Sequence, residues 1–402
     1  MNFDFKRRVL SNGMTVILEK RDLPIVSVAF AVRNGAINES VEEKGISHFI
    51  EHLLYKGTSK RSAKQIAEEI EKSGGELNGF TGEDVTAFWC KMPSESLNLA
   101  LDVLSDIIKN SLFDETELEK ERKVIFEEIK LYHDSPIHYV YNELQKYLYE
   151  GTLSMSILGS VESLNSINRN KIVEKFKKIY SPNNLILCVV GDADFDGLVE
   201  FAEENFSKEK GEIPKMEVKM KNGFAIEKRK GIDQANLILA YHVPLAVDKK
   251  SYAARVLNVM MADGLSSRLF QEIREKRNLA YAIKGGSEVR NDFAYNMIYV
   301  GTTKDKVEEV KNLILEEFEK IAKDFEEKEL KDVKKQMIGN YKISMEDSQH
   351  QMVNLLGTEI EGDASKFYEF EKNISEVTIE EVKELAEKVG KKYSFFALVP
   401  ED

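Results

Sequence analysis

One order of elements is legible twice along this sequence, and that recurrence limits the fold more than any other feature. Residues 26–32 alternate as a strand does, and a helix follows in which Ile46, Phe49, Ile50, Leu53 and Leu54 recur at helical spacing. A second helix is expected near residues 63–72, stopped by Gly74-Gly75. Strands over 76–80 and 85–92 come next, then long helices over 95–110 and 115–132. A helix over 171–179 and an apolar strand over 185–190 complete this half. The order then returns: strand 235–242, helices 251–261 and 266–276, two strands within 280–300, and long helices 305–324 and 327–344. The economical reading is an internally duplicated α+β unit, each copy a mainly antiparallel sheet packed with helices.

Between the copies the composition shifts to SKEKGEIPKMEVKMKNG, rich in charge and poor in aliphatics. The expected division is therefore a first repeat over 1–205, a linker or hinge over 206–223 and a second repeat over 224–402. The longest apolar runs are strand-length, far short of the ~20 residues of a membrane span. The first residues read as strand, Ser11-Asn12-Gly13 turn and strand rather than as an export leader. No membrane partner and a cytoplasmic location are the expectations. Lys+Arg 57 against Asp+Glu 70 leaves a net charge of −13, which argues against a nucleic-acid partner. Cys90 and Cys188 are the sole cysteines, too few for a disulfide framework or a thiolate zinc site.

The chemistry concentrates in His48-Phe49-Ile50-Glu51-His52. Residues four apart share a helix face, so His48 and His52 can offer imidazole nitrogens to one metal ion, with Glu51 in reach of a metal-bound water. With six histidines in 402 residues, chance assembly of this pattern is roughly a one-in-a-hundred event. Two histidines leave a catalytic zinc site one ligand short. The helix ELEKERKVIFEEIKLY offers candidates, and its wheel separates them. Glu128 has Val124, Ile125, Leu131 and Tyr132 three and four residues away, an apolar setting in which a carboxylate needs a compensating partner. Glu127 sits beside Lys123 and Lys130 on the solvated face. Glu121, two turns before Glu128, can accept the second ring N–H of a ligand histidine. His133, His138, His242 and His350 have no partner spacing and read as ordinary surface or core residues.

These motifs resemble the M16 peptidases, the pitrilysin, insulin-degrading-enzyme and mitochondrial-processing-peptidase group, across both halves. In that family an HxxEH helix is followed about seventy-five residues later by a glutamate ligand in an ExxxxxxE segment, matched here by Glu121 to Glu128. The resemblance implies one Zn2+ per chain held by His48, His52 and Glu128, with Glu121 in support and Glu51 as general base. It implies a short two-repeat member whose halves form one half of a clam-shell chamber. The second repeat lacks HxxEH, but SSRLFQEIREKRNLAYAI resembles the family stretch that lends an arginine and a tyrosine to the active site, here Arg274 and Tyr281. Glu76 to Thr81 resembles the edge strand that pairs with extended peptide, giving Asn78, Gly79, Phe80 and Thr81 as substrate-binding residues. With both residue sets in one chain, a homodimer acting on peptide substrates is the expectation; a non-catalytic scaffold subunit of the same fold is the alternative.

Overall fold

The computed structural model describes residues 3–206, 210–215 and 217–401. Of the expected linker, residues 207–209 and 216 lie outside the described residues. The chain forms two compact units. The first comprises Met1–Ile129, Ser156–Glu217 and Ser344–Phe367; the second comprises Lys130–Met155, Val218–Ile343 and Tyr368–Asp402. The passage from one unit to the other at Glu217–Val218 falls within the stretch 206–223, but two further segments are exchanged between the repeats, which periodicity does not reveal.

The first unit holds a six-stranded sheet of β1 (Asp4–Val9), β2 (Thr15–Lys20), β3 (Ile25–Val32), β4 (Glu76–Thr81), β5 (Thr86–Pro93) and β6 (Leu185–Gly191), in the order β1-β2-β6-β3-β5-β4. The second holds β7 (Phe224–Arg229), β8 (Ala235–His242), β9 (Ala280–Val289), β10 (Ala294–Thr302) and β11 (Ser394–Pro400), in the order β7-β11-β8-β10-β9. Among the described residues only the β2/β6 and β7/β11 pairs are parallel. Without β1 the two orders are the same, so the duplication extends to strand pairing. A hairpin ends each sheet, leaving β4 and β9 as edge strands.

Four helices of the first half position the site residues: α1 (Ile46–Leu54), α2 (Ala63–Glu71), α3 (Leu97–Asn110) and α4 (Glu115–Asp134). Along β2, β3 and β6 every second residue enters a core with α1 and α3: Val16, Leu18, Val28, Phe30, Leu187 and Val189. The alternate residues face the exchanged helix Ser348–Ile360; Glu19 accepts from Gln351 Nε2 at 2.6 Å, and Cys188 lies under Met352 O. In the second unit the exchanged helix α5 (Pro136–Leu148) packs on β8 and β11. This double cover explains why β3 and β6 are buried almost throughout, whereas one-sided strands alternate. Among the described residues no helix is long and apolar enough to cross a membrane.

The exchanged helix is tied down by charge. Glu359, fully buried, accepts from Arg7 at 2.7 and 2.8 Å, from Arg33 at 2.6 Å and from Ala364 N–H at 3.0 Å. Burial pushes its carboxyl upward, but these hydrogen bonds outweigh that and hold it below the usual carboxylate range. A lowered folded-state pKa gives stability that is present above the unfolded value, about 4.3, and is lost as pH falls through the folded one. Glu359→Gln should therefore lower stability near neutrality by on the order of 3 kcal/mol, and the difference from the parent should shrink between about pH 5 and 3. Urea unfolding across that range is the check; a constant difference would contradict the assignment.

Candidate metal centre

The position of α1 is fixed before any ligand is considered. Its N-terminus starts at Gly45 with φ +94, and a Cβ there would stand 2.6 Å from Leu158 O, so only glycine fits. Glu39, fully buried, accepts from Gly45 N–H at 2.9 Å and Ser47 N–H at 2.7 Å, satisfying two of the helix's orphan donors. Lys44 is equally buried, 3.8 Å from Glu39, and donates to Ala36 O at 2.9 Å. Burial raises the Glu39 carboxyl, opposed by Lys44 and the two N–H groups. Sequence reading missed this pair because its partners meet through a loop with no periodicity.

On this helix His48 and His52 turn Nε2 toward Glu128 Oε2 on α4, each at 3.6 Å. The three donor atoms lie within 4.8 Å of one another, and among the described residues no other such group of three or more His, Cys, Asp or Glu is found. Tetrahedral zinc with bonds of about 2.1 Å sets donors about 3.4 Å apart, close to the spacing seen. The donor set therefore fits zinc. His52 Nδ1 lies 3.1 Å from Glu121 Oε2, and the other Glu121 oxygen is 2.8 Å from Lys56 Nζ. With Nδ1–H donated to Glu121, the lone pair of Nε2 is left for the metal. His48 Nδ1 has no such carboxylate; it is buried without a hydrogen-bond partner. Lys56 was not foreseen, since it lies beyond the helix end, where face arithmetic stops.

Electrostatics sort the same groups. Burial, reinforced by the neighbouring His52, pushes the His48 imidazole down to about 4. Burial also works against a charged His52, but pairing with Glu128 and Glu121 outweighs it and raises that imidazole. Pairing with His52 holds Glu128 below the usual carboxylate range. Glu51 moves upward, chiefly by burial, against the hydrogen bond it accepts at Oε2 from Thr81 Oγ1 at 2.6 Å.

The wheel argument selected Glu128 on a premise the structure only half supports. Ile125 is buried, but Val124 and Leu131 are exposed, so the two histidines rather than an apolar face are what Glu128 meets. Glu127 is exposed. Asn78-Gly79 is strand, with Gly79 opposite Phe88 in the β4/β5 ladder, and Asn78 Oδ1 accepts from Gly79 N–H at 2.8 Å. Phe80 pairs with Ala87. Thr81, expected to bind substrate, also donates its Oγ1–H to Glu51 Oε2 at 2.6 Å. Arg274 and Tyr281 belong to the second unit. Arg274 lies within a π-helical turn, Phe270–Glu275, with its guanidinium 4.7 Å over the Phe270 ring. Tyr281 lies on β9, exposed, its ring filling the space that a side chain at Gly301 would need.

Glu128→Gln should remove most zinc affinity, whereas Glu127→Gln should leave it unchanged; Glu121→Gln should weaken it by about 10–100-fold. Competition with a chelator measures all three, and equal loss at positions 127 and 128 would refute the ligand choice. Glu39→Ala, which strands Lys44 and two N–H groups, should cost at least about 3 kcal/mol and weaken zinc binding; an unchanged urea midpoint would show that the cap is dispensable.

Comparison with known proteins agrees with this geometry. Residues 15–161 match the family described as Insulinase (Peptidase family M16), and residues 166–337 match the Peptidase M16 inactive domain. An uncharacterized zinc protease of Bacillus subtilis is 33% identical over 352 residues, spanning 86% of this chain and 86% of that protein. Another, from Rickettsia felis, is 34% identical over 353 residues, spanning 86% of this chain and 85% of its own length. The crystal structure of a protease from Helicobacter pylori shares the fold, with a TM-score of 0.92 over 99% of this chain and 100% of that one at 21% identity. By these matches to both repeats, and to relatives along most of its length, the chain belongs to the M16 peptidase family.

Proposed function

We propose that this chain is a zinc-dependent endopeptidase that hydrolyses short or unfolded peptides bound as an extended strand along β4. The observation that carries the reading is the convergence of His48, His52 and Glu128 next to a half-buried Glu51 tied to that strand by Thr81. Zinc held by these three ligands supplies Lewis-acid polarisation of the scissile carbonyl and a more acidic water. Glu51 takes the proton from the attacking water and later delivers it to the leaving amine. Its burial makes it readier to carry that proton than an exposed glutamate is. Thr81 keeps the carboxylate oriented meanwhile. As an edge strand, β4 has one unpaired side, suited to backbone hydrogen bonds that disregard side-chain identity.

Arg274 and Tyr281 complete the reading as hydrogen-bond donors to the carbonyl oxygen as it gains negative charge. Both side chains are exposed in the second unit rather than committed to its core. Their participation requires that the bound peptide reach residues of both repeats. Two chains pairing to enclose a chamber, in the cytoplasm, belong to the same proposal; two free, buried cysteines fit a reducing compartment. A non-catalytic subunit is the rival reading. The complete ligand set in the first repeat weighs against it.

Glu51→Gln should retain zinc yet cut cleavage of a mixed peptide library by at least about a hundredfold, and a chelator should abolish cleavage by the parent. Full turnover by the zinc-loaded variant would eliminate Glu51 as the base. Light scattering tests the pairing: a monomer that still cleaves peptides would overturn it.

A further inference from the structure

Tyr55 closes α1, with its N–H bonded to Leu53 O, and its ring packs on Phe88 of β5 with centroids 5.9 Å apart. Its hydroxyl is buried and has no hydrogen-bond partner. For space-filling alone phenylalanine would serve better, because it strands no polar group. The hydroxyl's surroundings indicate its use. A Cβ built on Gly79 would stand 2.5 Å from Tyr55 Oη and 3.4 Å from Glu51 Oε1. Both oxygens thus border the same vacated side-chain position on β4. The other Glu51 oxygen, Oε2, is already taken by Thr81 Oγ1 at 2.6 Å.

We infer that Tyr55 is a positioning residue for Glu51: through the gap left at Gly79, its hydroxyl donates to Glu51 Oε1, so that the carboxylate is held at both oxygens. The step needed is a rotation of either side chain into space that any larger residue at 79 would occupy. Oriented at one oxygen only, the carboxylate can still swing about its last torsion; oriented at both, it cannot. The consequence for turnover rests on Glu51 being the base, whereas the contact itself does not.

Two measurements on the full chain separate these. In the metal-free protein, urea midpoints of Tyr55→Phe, Glu51→Ala and the double variant form a cycle. Tyr55→Phe should lower the midpoint when Glu51 is present and leave it unchanged or raise it when Glu51 is absent; additive shifts would overturn the contact. In the zinc-loaded protein, Tyr55→Phe should keep zinc content and KM while lowering kcat about tenfold, the loss of one hydrogen bond to a charged group. An unchanged kcat would overturn the positioning role, since a purely packing role leaves it alone. If the parent cleaves no peptide, the peptidase reading fails and the cycle still decides whether Tyr55 holds Glu51.

Discussion

The face of α1 that enters the core decides where its histidines point. Ile46, Phe49, Ile50, Leu53 and Leu54 are each no more than 1% exposed. Burying five such side chains contributes roughly 10 kcal/mol, far more than any single hydrogen bond in the site. Turning the helix by one residue, about 100°, would draw part of that set into water, so the azimuth of His48 and His52 is held by hydrophobic burial. The Glu39 carboxylate on the N–H groups of Gly45 and Ser47 opposes the remaining freedom, sliding along the axis. Ligand geometry is thus a by-product of packing, which lets the ligands converge without strong bonds among themselves.

Around that rigid helix the charges form a chain: Lys56 to Glu121, Glu121 to His52, and both histidines to Glu128. Each link fixes the orientation of the next. Lys56 Nζ meets one Glu121 oxygen, the other lies against His52 Nδ1, and the Nε2 lone pair is left facing Glu128. His48 has no equivalent partner, and its charged form is disfavoured by burial instead. The two imidazoles are therefore set differently: desolvation keeps His48 neutral, whereas its carboxylate partners draw His52 toward the charged form and its Nδ1 contact with Glu121 turns Nε2 toward Glu128.

Much of this was legible from residue order. The repeat, the helix carrying His48 and His52 and the Glu121–Glu128 spacing all follow from periods of 2 and 3.6, which depend on local geometry alone. Asn78-Gly79 was harder, since the same dipeptide serves hairpin turns; its pairing opposite Trp89 and Phe88 settles it as strand. Where side chains meet through loops, periodicity is silent. Glu39 with Lys44 and Lys56 with Glu121 belong to this class, and Thr81 with Glu51 joins a strand end to a helix, a meeting that neither period encodes. The apolar wheel around Glu128 pointed the right way although Val124 and Leu131 are exposed, because helix phase carries over even when burial does not. The short turn that carries Arg274, expected as ordinary helix over 266–276, is π-helical at Phe270–Glu275, a distinction of one hydrogen-bond step that side-chain spacing does not encode.

The exchange of helices has a consequence for how the chain is made. The first sheet's strands and metal ligands are all encoded before residue 192, yet one of its faces is covered by Ser348–Ile360. Arg7 and Glu359, which pin that cover, are 352 residues apart. During synthesis the first sheet therefore waits, one face bare, until residues 348–360 have left the ribosome. Contacts of such long range close slowly, and an apolar sheet face waiting that long is open to wrong partners. Neither repeat is a self-sufficient folding module: each supplies the other's last layer, and a truncated product from either end would leave a sheet half covered.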